Sequence, residues 1–165
     1  MSILSGNNQG KSLLEVNDLS VAYGKVEALS HFNMRVNEGQ IVSVVGPNGA
    51  GKTTLLSGIM GVLASRGNVE FDGCIEQCPQ IERMVVRGLG LVPEKRELFG
   101  SMSIEDNLML GGFQRYRHGD RMLKDTLDEV YTLFPRLKER RIQEAGTLSG
   151  GERQRIAIAR ALIHD

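Results

Sequence analysis

Residues 46–54 read Gly46-Pro47-Asn48-Gly49-Ala50-Gly51-Lys52-Thr53-Thr54, and this stretch decides the fold. Gly46, Gly51, Lys52 and Thr53 fit the spacing G-x-x-x-x-G-K-[ST] of a phosphate-binding loop. In such a loop the glycines let backbone N–H groups approach phosphate oxygens, and the helix that follows directs the positive end of its dipole to the same point. The stretch therefore predicts a strand, loop and helix that bind a nucleoside triphosphate.

Two side chains of this loop carry charge or metal chemistry. Lys52 supplies a mobile cation for the terminal phosphates, and the Thr53 hydroxyl can reach the magnesium ion that accompanies them. A glycine-rich turn without a ligand is the alternative interpretation. The surrounding pattern of buried strand, loop and amphipathic helix favours a phosphate site to which all of residues 46–54 contribute.

The segments around the loop alternate as strands and helices do. Before the loop, apolar residues recur with period two and predict antiparallel strands with one buried face. The residues concerned are Leu14, Val16, Leu19, Val21 and Tyr23, then Phe32, Met34 and Val36. Residues 41–45 are nearly all apolar and β-branched, which is typical of a central parallel strand covered on both faces. After the loop, Leu55, Ile59 and Leu63 predict a helix.

Beyond residue 64 the pattern predicts two more strands and then a helical block. Residues 69–73 form one predicted strand, and residues 89–92 a buried one that ends at Pro93. From Ser103 to about Arg141 we expect only helices, the first starting with a capping box of Ser103 and Asp106. The block includes a helical stripe that a proline ends. The stripe is Leu123, Leu127, Val130 and Phe134, followed by Pro135.

Composition bounds the class of protein. The 165 residues suffice for one domain with its own core, and the formal net charge of zero does not suggest a nucleic-acid ligand. The longest apolar run is only four residues, residues 156–159, so we predict no membrane span. Residues 1–12 are polar and are predicted to form a flexible tail. Cys74 and Cys78 are predicted to be reduced thiols without a metal.

A second nucleotide-linked motif lies near the C-terminal end of the sequence. It reads Leu148-Ser149-Gly150-Gly151-Glu152-Arg153-Gln154. Ser149 and Glu152 form a capping pattern, and the two glycines leave the amides at the helix start uncovered. Most capping boxes only cap a helix. In a chain that also has a phosphate loop, this one predicts a second helix start that binds an anion.

Together the two motifs resemble those of the ATP-binding subunits of ABC transporters, over almost the whole chain from about Leu13. The resemblance implies a nucleotide-sandwich dimer in which residues 46–54 hold the subunit's own ATP with Mg²⁺. Ser149, Gly150, Gly151 and Glu152 would then act in trans, on the ATP of a second, identical or different, ATPase subunit. Tyr23 matches the aromatic position that stacks on adenine. Packing of this tyrosine at a strand end is the alternative.

The resemblance implies an α/β fold. It consists of a P-loop NTPase core of the ABC ATPase type, with an N-terminal antiparallel β subdomain, an inserted α-helical subdomain and an incomplete C-terminal part. After the tail, a partial ABC ATPase domain is predicted over residues 13–165. Residues 13–100 would form the core and β subdomain, residues 101–147 the helical subdomain, and residues 148–165 the second motif with its helix.

The region from Val92 to Leu108 is similar to that of the ATP-binding subunits of branched-chain amino acid importers. The matching residues are Val92-Pro93-Glu94, Arg96, Leu98-Phe99, Met102-Ser103-Ile104 and Glu105-Asp106-Asn107-Leu108. Most ABC ATPases have Gln where this chain has Glu94, and the resemblance assigns the position to catalysis and to the magnesium and water site, alongside Lys52 and Thr53. Lys95 departs from the glycine usual in the subfamily and predicts a stiffer loop.

The resemblance also implies partners and an activity. We expect a peripheral protein on the cytoplasmic face of the cell membrane, bound to permease subunits. A periplasmic or extracellular solute-binding protein would be an indirect partner, through those permease subunits. The sequence stops before the acidic Walker B strand that carries a magnesium ligand and the catalytic Glu. Residues 1–165 are therefore expected to bind ATP without turning it over. A non-catalytic ATP-binding or dimerisation module, an ABC ATPase for another substrate, and a soluble ABC ATPase of translation or DNA repair are the alternatives.

Overall fold

The computed structural model describes residues 1–5, 10–94, 97–120 and 122–163. It divides the chain into two compact units, Met1–Leu89 and Gly90–Asp165. The division falls before residue 100, where the core was predicted to give way to the helical subdomain. None of the helices in the described residues combines the length and the apolar character needed to cross a bilayer.

The first unit is built mainly from strands. In chain order its elements are β1 (Ser2–Ser5), β2 (Ser12–Tyr23), β3 (Val26–Asn37), β4 (Val42–Val45), α1 (Lys52–Ile59), β5 (Ser65–Phe71), β6 (Cys74–Glu76) and α2 (Ile81–Val86). One antiparallel sheet has the order β3-β2-β5-β6, and β1 pairs with β4 in another. The predicted strands at β2 and β3 and the helix at α1 are confirmed. The strand predicted over residues 69–73 forms as β5, which starts earlier and ends at Phe71. Leu63 lies beyond the end of α1.

The buried face of β2 carries the core of the antiparallel sheet. Val16, Leu19 and Val21 are buried there, as the alternation predicted. The pairing of β2 with β3 shifts register between Val16 and Leu19, and Asp18 has a φ of 58°. This bulge adds one residue to β2 and rotates the strand locally. Val16 and Leu19, which are three positions apart, therefore both point to the buried face.

The prediction of a central parallel strand at residues 41–45 is wrong in this structure. β4 pairs antiparallel with β1, with Ser2 opposite Val45. Ile41 is 87% exposed and Val45 is 51% exposed, so the segment is not covered on both faces. The strand β1 also lies in the segment predicted to be a flexible tail, of which residues 6–9 are outside the described residues. Pairing with a distant segment, rather than local composition, makes residues 2–5 a strand.

The predicted strand at residues 89–92 does not form either. The helix α2 ends at Val86, Gly88 follows with a φ of 91°, and the Leu89 N–H donates to the Met84 carbonyl at 3.0 Å. The start of the predicted strand is thus used to close the helix, as in a common C-terminal helix motif. Among the described residues, no strand pairs with residues 90–92.

The second unit is helical, as predicted between Ser103 and Arg141. Its elements are α3 (Ile104–Met109), α4 (Phe113–Arg117), α5 (Leu123–Leu133), α6 (Pro135–Glu139), a short 3₁₀ turn (Ala145–Thr147) and α7 (Gly150–Ile163). The predicted capping box at α3 is present, because Asp106 N–H donates to Ser103 Oγ at 3.0 Å and Ser103 N–H donates to the Asp106 carboxylate at 3.3 Å. Pro135 ends α5 as predicted and is the first residue of α6.

One apolar core holds this second unit together. It is formed by side chains from α3, α5, α6 and α7, chiefly Ile104, Leu108, Leu123, Val130, Tyr131, Leu137, Ile156 and Ile163. Asn107 is the buried polar exception. Its side-chain oxygen accepts from Phe99 N–H at 3.0 Å, and its amide donates to the carbonyls of Phe99 at 3.0 Å and Ser103 at 2.9 Å. These bonds satisfy the buried amide and fix the chain before α3.

Candidate functional site

The loop between β4 and α1 ends on a glycine that no other residue could replace without strain. Gly51 is the N-cap of α1 and lies in the left-handed region with a φ of 84°. A Cβ atom built there would be 2.9 Å from the Ala28 carbonyl oxygen. Both the backbone angle and this contact require glycine at position 51. The spacing of the motif reveals the glycine, but not the carbonyl that it faces.

The positively charged side chain of the loop folds back over it. Lys52 Nζ donates to the carbonyl oxygens of Gly46 at 2.7 Å and Pro47 at 2.9 Å. The ammonium group is therefore held within the loop by two neutral acceptors. A phosphate oxygen is a stronger, charged acceptor for the same group.

The start of α1 is open to an anion. No side chain caps it, and its first turn has no acidic residue. The first amides of an α-helix have no partner within the helix and attract negative charge. Thr53 is exposed in this first turn, whereas Thr54 is buried. The structure thus brings the amides of the helix start, Lys52 and the Thr53 hydroxyl together.

Tyr23 lies beside this loop. It is the last residue of β2, opposite Val26, and its side chain is 53% exposed. Its hydroxyl oxygen is 3.5 Å from Thr54 Oγ1. The aromatic ring is therefore next to the phosphate loop and has exposed surface. Stacking of a base on the ring stays a prediction.

The second motif forms a capping box at the start of α7. Ser149 N–H and Ser149 Oγ both donate to Glu152 Oε2, at 3.0 and 2.7 Å, and Glu152 N–H donates to Ser149 Oγ at 3.4 Å. A Cβ atom at Gly151 would meet no atom within 4 Å. The Ser149 side-chain hydrogen bond holds the pKa of Glu152 below its usual range, helped by the Ser149 N–H and the charges of Arg140 and Arg155.

The remaining predicted site residue, Glu94, is exposed in a turn of the second unit. Thr53, the other predicted magnesium ligand, belongs to the first unit. Within the described ranges, no cluster of three His, Cys, Asp or Glu residues could hold a metal ion. Cys74 and Cys78 are exposed free thiols. Lys95 and Arg96 lie outside the described residues, so the predicted stiffening by Lys95 stays a prediction.

Sequence reasoning missed one contact at the second motif. Arg140 Nη1 donates to Glu152 Oε1 at 2.6 Å, from the residue directly after α6. The two residues are twelve positions apart, beyond the reach of any capping pattern. The sequence offered only one sign of this contact, a basic residue before the motif. Arg140 and Arg141 both match that description, so the sequence could not choose between them.

The comparisons agree with both motifs. The sequence model described as ABC transporter matches residues 29–165. The high-affinity branched-chain amino acid transport ATP-binding protein BraG of Pseudomonas aeruginosa is 39% identical over 154 residues, covering 92% of this chain and 64% of BraG. The phosphate import ATP-binding protein PstB of Corynebacterium efficiens is 32% identical over 161 residues, covering 92% of this chain and 63% of PstB. The chain therefore spans less than two thirds of the length of these relatives.

A solved structure has the same fold. It is the ADP conformation of an ATP-binding cassette of an ABC transporter, with a TM-score of 0.74 at 23% identity. The match covers 93% of this chain and 65% of that one. At this level of identity the likeness shows the fold alone. It agrees with the predicted α/β class and the ABC ATPase core.

Proposed function

This chain belongs to the ABC transporter family, and from that premise we propose that it is the ATP-binding part of an ABC-type importer of branched-chain amino acids. The geometry of residues 46–54 carries the proposal. Gly51, Lys52 and the uncapped start of α1 together form a site for a polyphosphate. The second motif adds another helix start in the other unit, one that a capping box closes and that has Glu152 in its first turn.

Each group at the loop has a defined task. The backbone N–H groups at the start of α1 bind phosphate oxygens, and Lys52 exchanges its carbonyl acceptors for the terminal phosphates. Tyr23 supports the adenine ring, because its exposed face lies beside the loop. The Thr53 hydroxyl fits Mg²⁺, which prefers hard oxygen ligands and takes several of them from the nucleotide phosphates. When bound, Mg²⁺ neutralises charge on the phosphates.

The second motif completes the site of a second subunit. Ser149 and the amides at the start of α7 would bind the terminal phosphate of a nucleotide held by the partner's loop. Gly150 and Gly151 would allow this approach because they carry no side chain, and a Cβ atom added at Gly151 would meet only open space. ATP would then join two ATPase subunits, and the partners of the pair would be permease subunits. Glu94 would take part at the magnesium and water site as proposed from the sequence.

The relatives favour one class of substrate over others. BraG is a branched-chain amino acid transport protein at 39% identity, whereas the phosphate import protein PstB is at 32%. The residues from Val92 to Leu108 support the same subfamily. We therefore expect the chain to co-purify with permease subunits of a branched-chain amino acid importer and not with those of a phosphate importer. Binding to the phosphate permease alone would contradict this choice of substrate.

Lys52→Ala tests the nucleotide site directly. The variant should lose about a hundredfold in ATP affinity, because truncating one member of a desolvated charge pair costs about 2–5 kcal/mol. Isothermal titration with ATP and Mg²⁺ measures the loss. Lys138→Ala is the matched control, since Lys138 pairs with Asp128 in the other unit at 3.3 Å. Equal ATP affinities of the wild type and the Lys52→Ala variant would contradict the proposal.

A further inference from the structure

We propose that Arg140 is a positioning residue of the second motif. It binds the Glu152 carboxylate that holds the Ser149 hydroxyl, and it offsets that carboxylate's charge where the terminal phosphate of a partner's nucleotide would approach. This inference rests on the proposed function, in which the start of α7 binds that phosphate. The class of ligand is a nucleoside triphosphate held by a second copy of the chain.

A chain of short contacts links Arg140 to Ser149. Arg140 Nη1 donates to one carboxylate oxygen of Glu152 at 2.6 Å, and Ser149 Oγ donates to the other at 2.7 Å. The carboxylate is therefore held on both sides. A charge-assisted pair of this kind is shorter and more directional than a neutral hydrogen bond. Arg140 thus helps to fix the carboxylate to which Ser149 donates its hydroxyl proton.

The arginine itself is anchored by the core of the second unit. It follows α6, in which Leu137 is buried, and the Arg140 carbonyl accepts from Gln143 N–H at 2.8 Å. Arg140 and Glu152 also line the same small cavity, whose apolar wall includes Ile104, Phe134, Leu137 and Leu148. The guanidinium is thus presented to Glu152 from a fixed backbone.

Charge explains why the pair matters for an anion. An ionised Glu152 beside Ser149 would repel a phosphate, and the repulsion between two charges a few ångströms apart at a protein surface is appreciable. The charged groups that line the same cavity as Glu152 are Arg140, Arg155 of α7 and Arg136 of α6. Of these, Arg140 forms an ion pair with Glu152. Removing it leaves a carboxylate at the phosphate site with much of its charge uncompensated.

The neighbouring Arg141 provides a matched control. Its Nε is 3.5 Å from Glu105 Oε2, so it belongs to a different pair. Both arginines are partly exposed. Arg140→Gln and Arg141→Gln therefore remove the same charge from adjacent positions, and only the first change acts on Glu152.

The pairing is measured without any nucleotide. Carbon-13 NMR titration of the Glu152 carboxyl group should show its pKa below the ordinary value of 4.5 in the wild type. Arg140→Gln should raise that pKa toward the ordinary value, and Arg141→Gln should leave it in place. An unchanged pKa in the Arg140→Gln variant would overturn the proposed pairing.

Self-association of the chain with ATP, followed by sedimentation velocity, tests the role toward a phosphate. Arg140→Gln should weaken this association roughly tenfold, because the uncompensated Glu152 carboxylate would repel a phosphate a few ångströms away near the protein surface. Glu152→Gln, which keeps an acceptor for Ser149 but no charge, should restore association in the Arg140→Gln background. A purely structural role of Arg140 would not be rescued by this change.

The outcomes separate the two proposals. An unaltered association of the Arg140→Gln variant, or a double variant as weak as Arg140→Gln alone, would overturn the role of Arg140. Failure of the wild type to associate with ATP, together with a failure to bind ATP in titration, would overturn the proposed function instead. In that case the NMR titration still decides whether Arg140 holds Glu152.

Discussion

Gly111→Ala is expected to destabilise the second unit strongly. Gly111 follows α3 at its crossing with α7, where an added Cβ atom would overlap the Arg160 carbonyl oxygen and lie 3.0 Å from its carbonyl carbon. These atoms are the backbone of a 14-residue helix, so relief requires α7 to move away from α3. Inserting atoms into a packed core commonly costs about 1–3 kcal/mol, and a contact with fixed backbone should reach or exceed about 3 kcal/mol.

The adjacent Gly112 provides the control for this prediction. A Cβ atom there would overlap Leu123 Cδ1 and lie 3.1 Å from Ile163 Cγ2. Both are ends of side chains, which can change rotamer at an expected cost of about 1 kcal/mol. Urea unfolding followed by circular dichroism measures the free energy of unfolding of both variants. Equal stabilities would show that α3 and α7 adjust freely at this crossing.

Gly51→Ala should both destabilise the first unit and abolish ATP binding. At a φ of 84° an alanine is strained by about 1–2 kcal/mol. Its Cβ atom would also meet the Ala28 carbonyl oxygen at 2.9 Å. Together these effects should lower the free energy of unfolding by about 3 kcal/mol. A loop displaced from Ala28 would no longer direct the amides of α1 at a phosphate.

Gly49→Ala separates strain from contact in this loop. Gly49 has nearly the same φ, 85°, but an added Cβ atom would meet nothing within 4 Å. Its variant should therefore lose only the strain, about 1–2 kcal/mol. Thermal unfolding measures stability, and titration with ATP measures binding. If the Gly51→Ala variant is no less stable than the Gly49→Ala variant, the contact with Ala28 does not contribute to the loss of stability.

The local patterns of the sequence predicted much of the fold. Period-two alternation located β2 and β3, and the helical stripe located α5. Ser103 with Asp106 and Ser149 with Glu152 were each recognised as capping boxes, and both have the expected hydrogen bonds. These features depend on residues only three or four positions apart, or on the side-chain period of one strand, so composition and spacing are enough.

The errors share a different cause. Residues 41–45 and 89–92 are apolar and β-branched in part, but whether such a segment is a buried strand depends on partners far away in the chain. Here residues 2–5 pair with β4, and Leu89 closes α2. Neither pairing leaves a sign within the segment itself.

The candidate site divides along the same line. The phosphate loop and the second motif could be located from the sequence, because each is a short stretch whose backbone amides, glycines and caps act on their neighbours, and together they pointed to the family. The folded chain was needed to show that Gly51 faces Ala28, that Gly111 faces Arg160 and that Arg140 rather than Arg141 holds Glu152. Those contacts join residues that are 12 to 49 positions apart in the sequence. Only the packing of the folded chain brings such residues into contact.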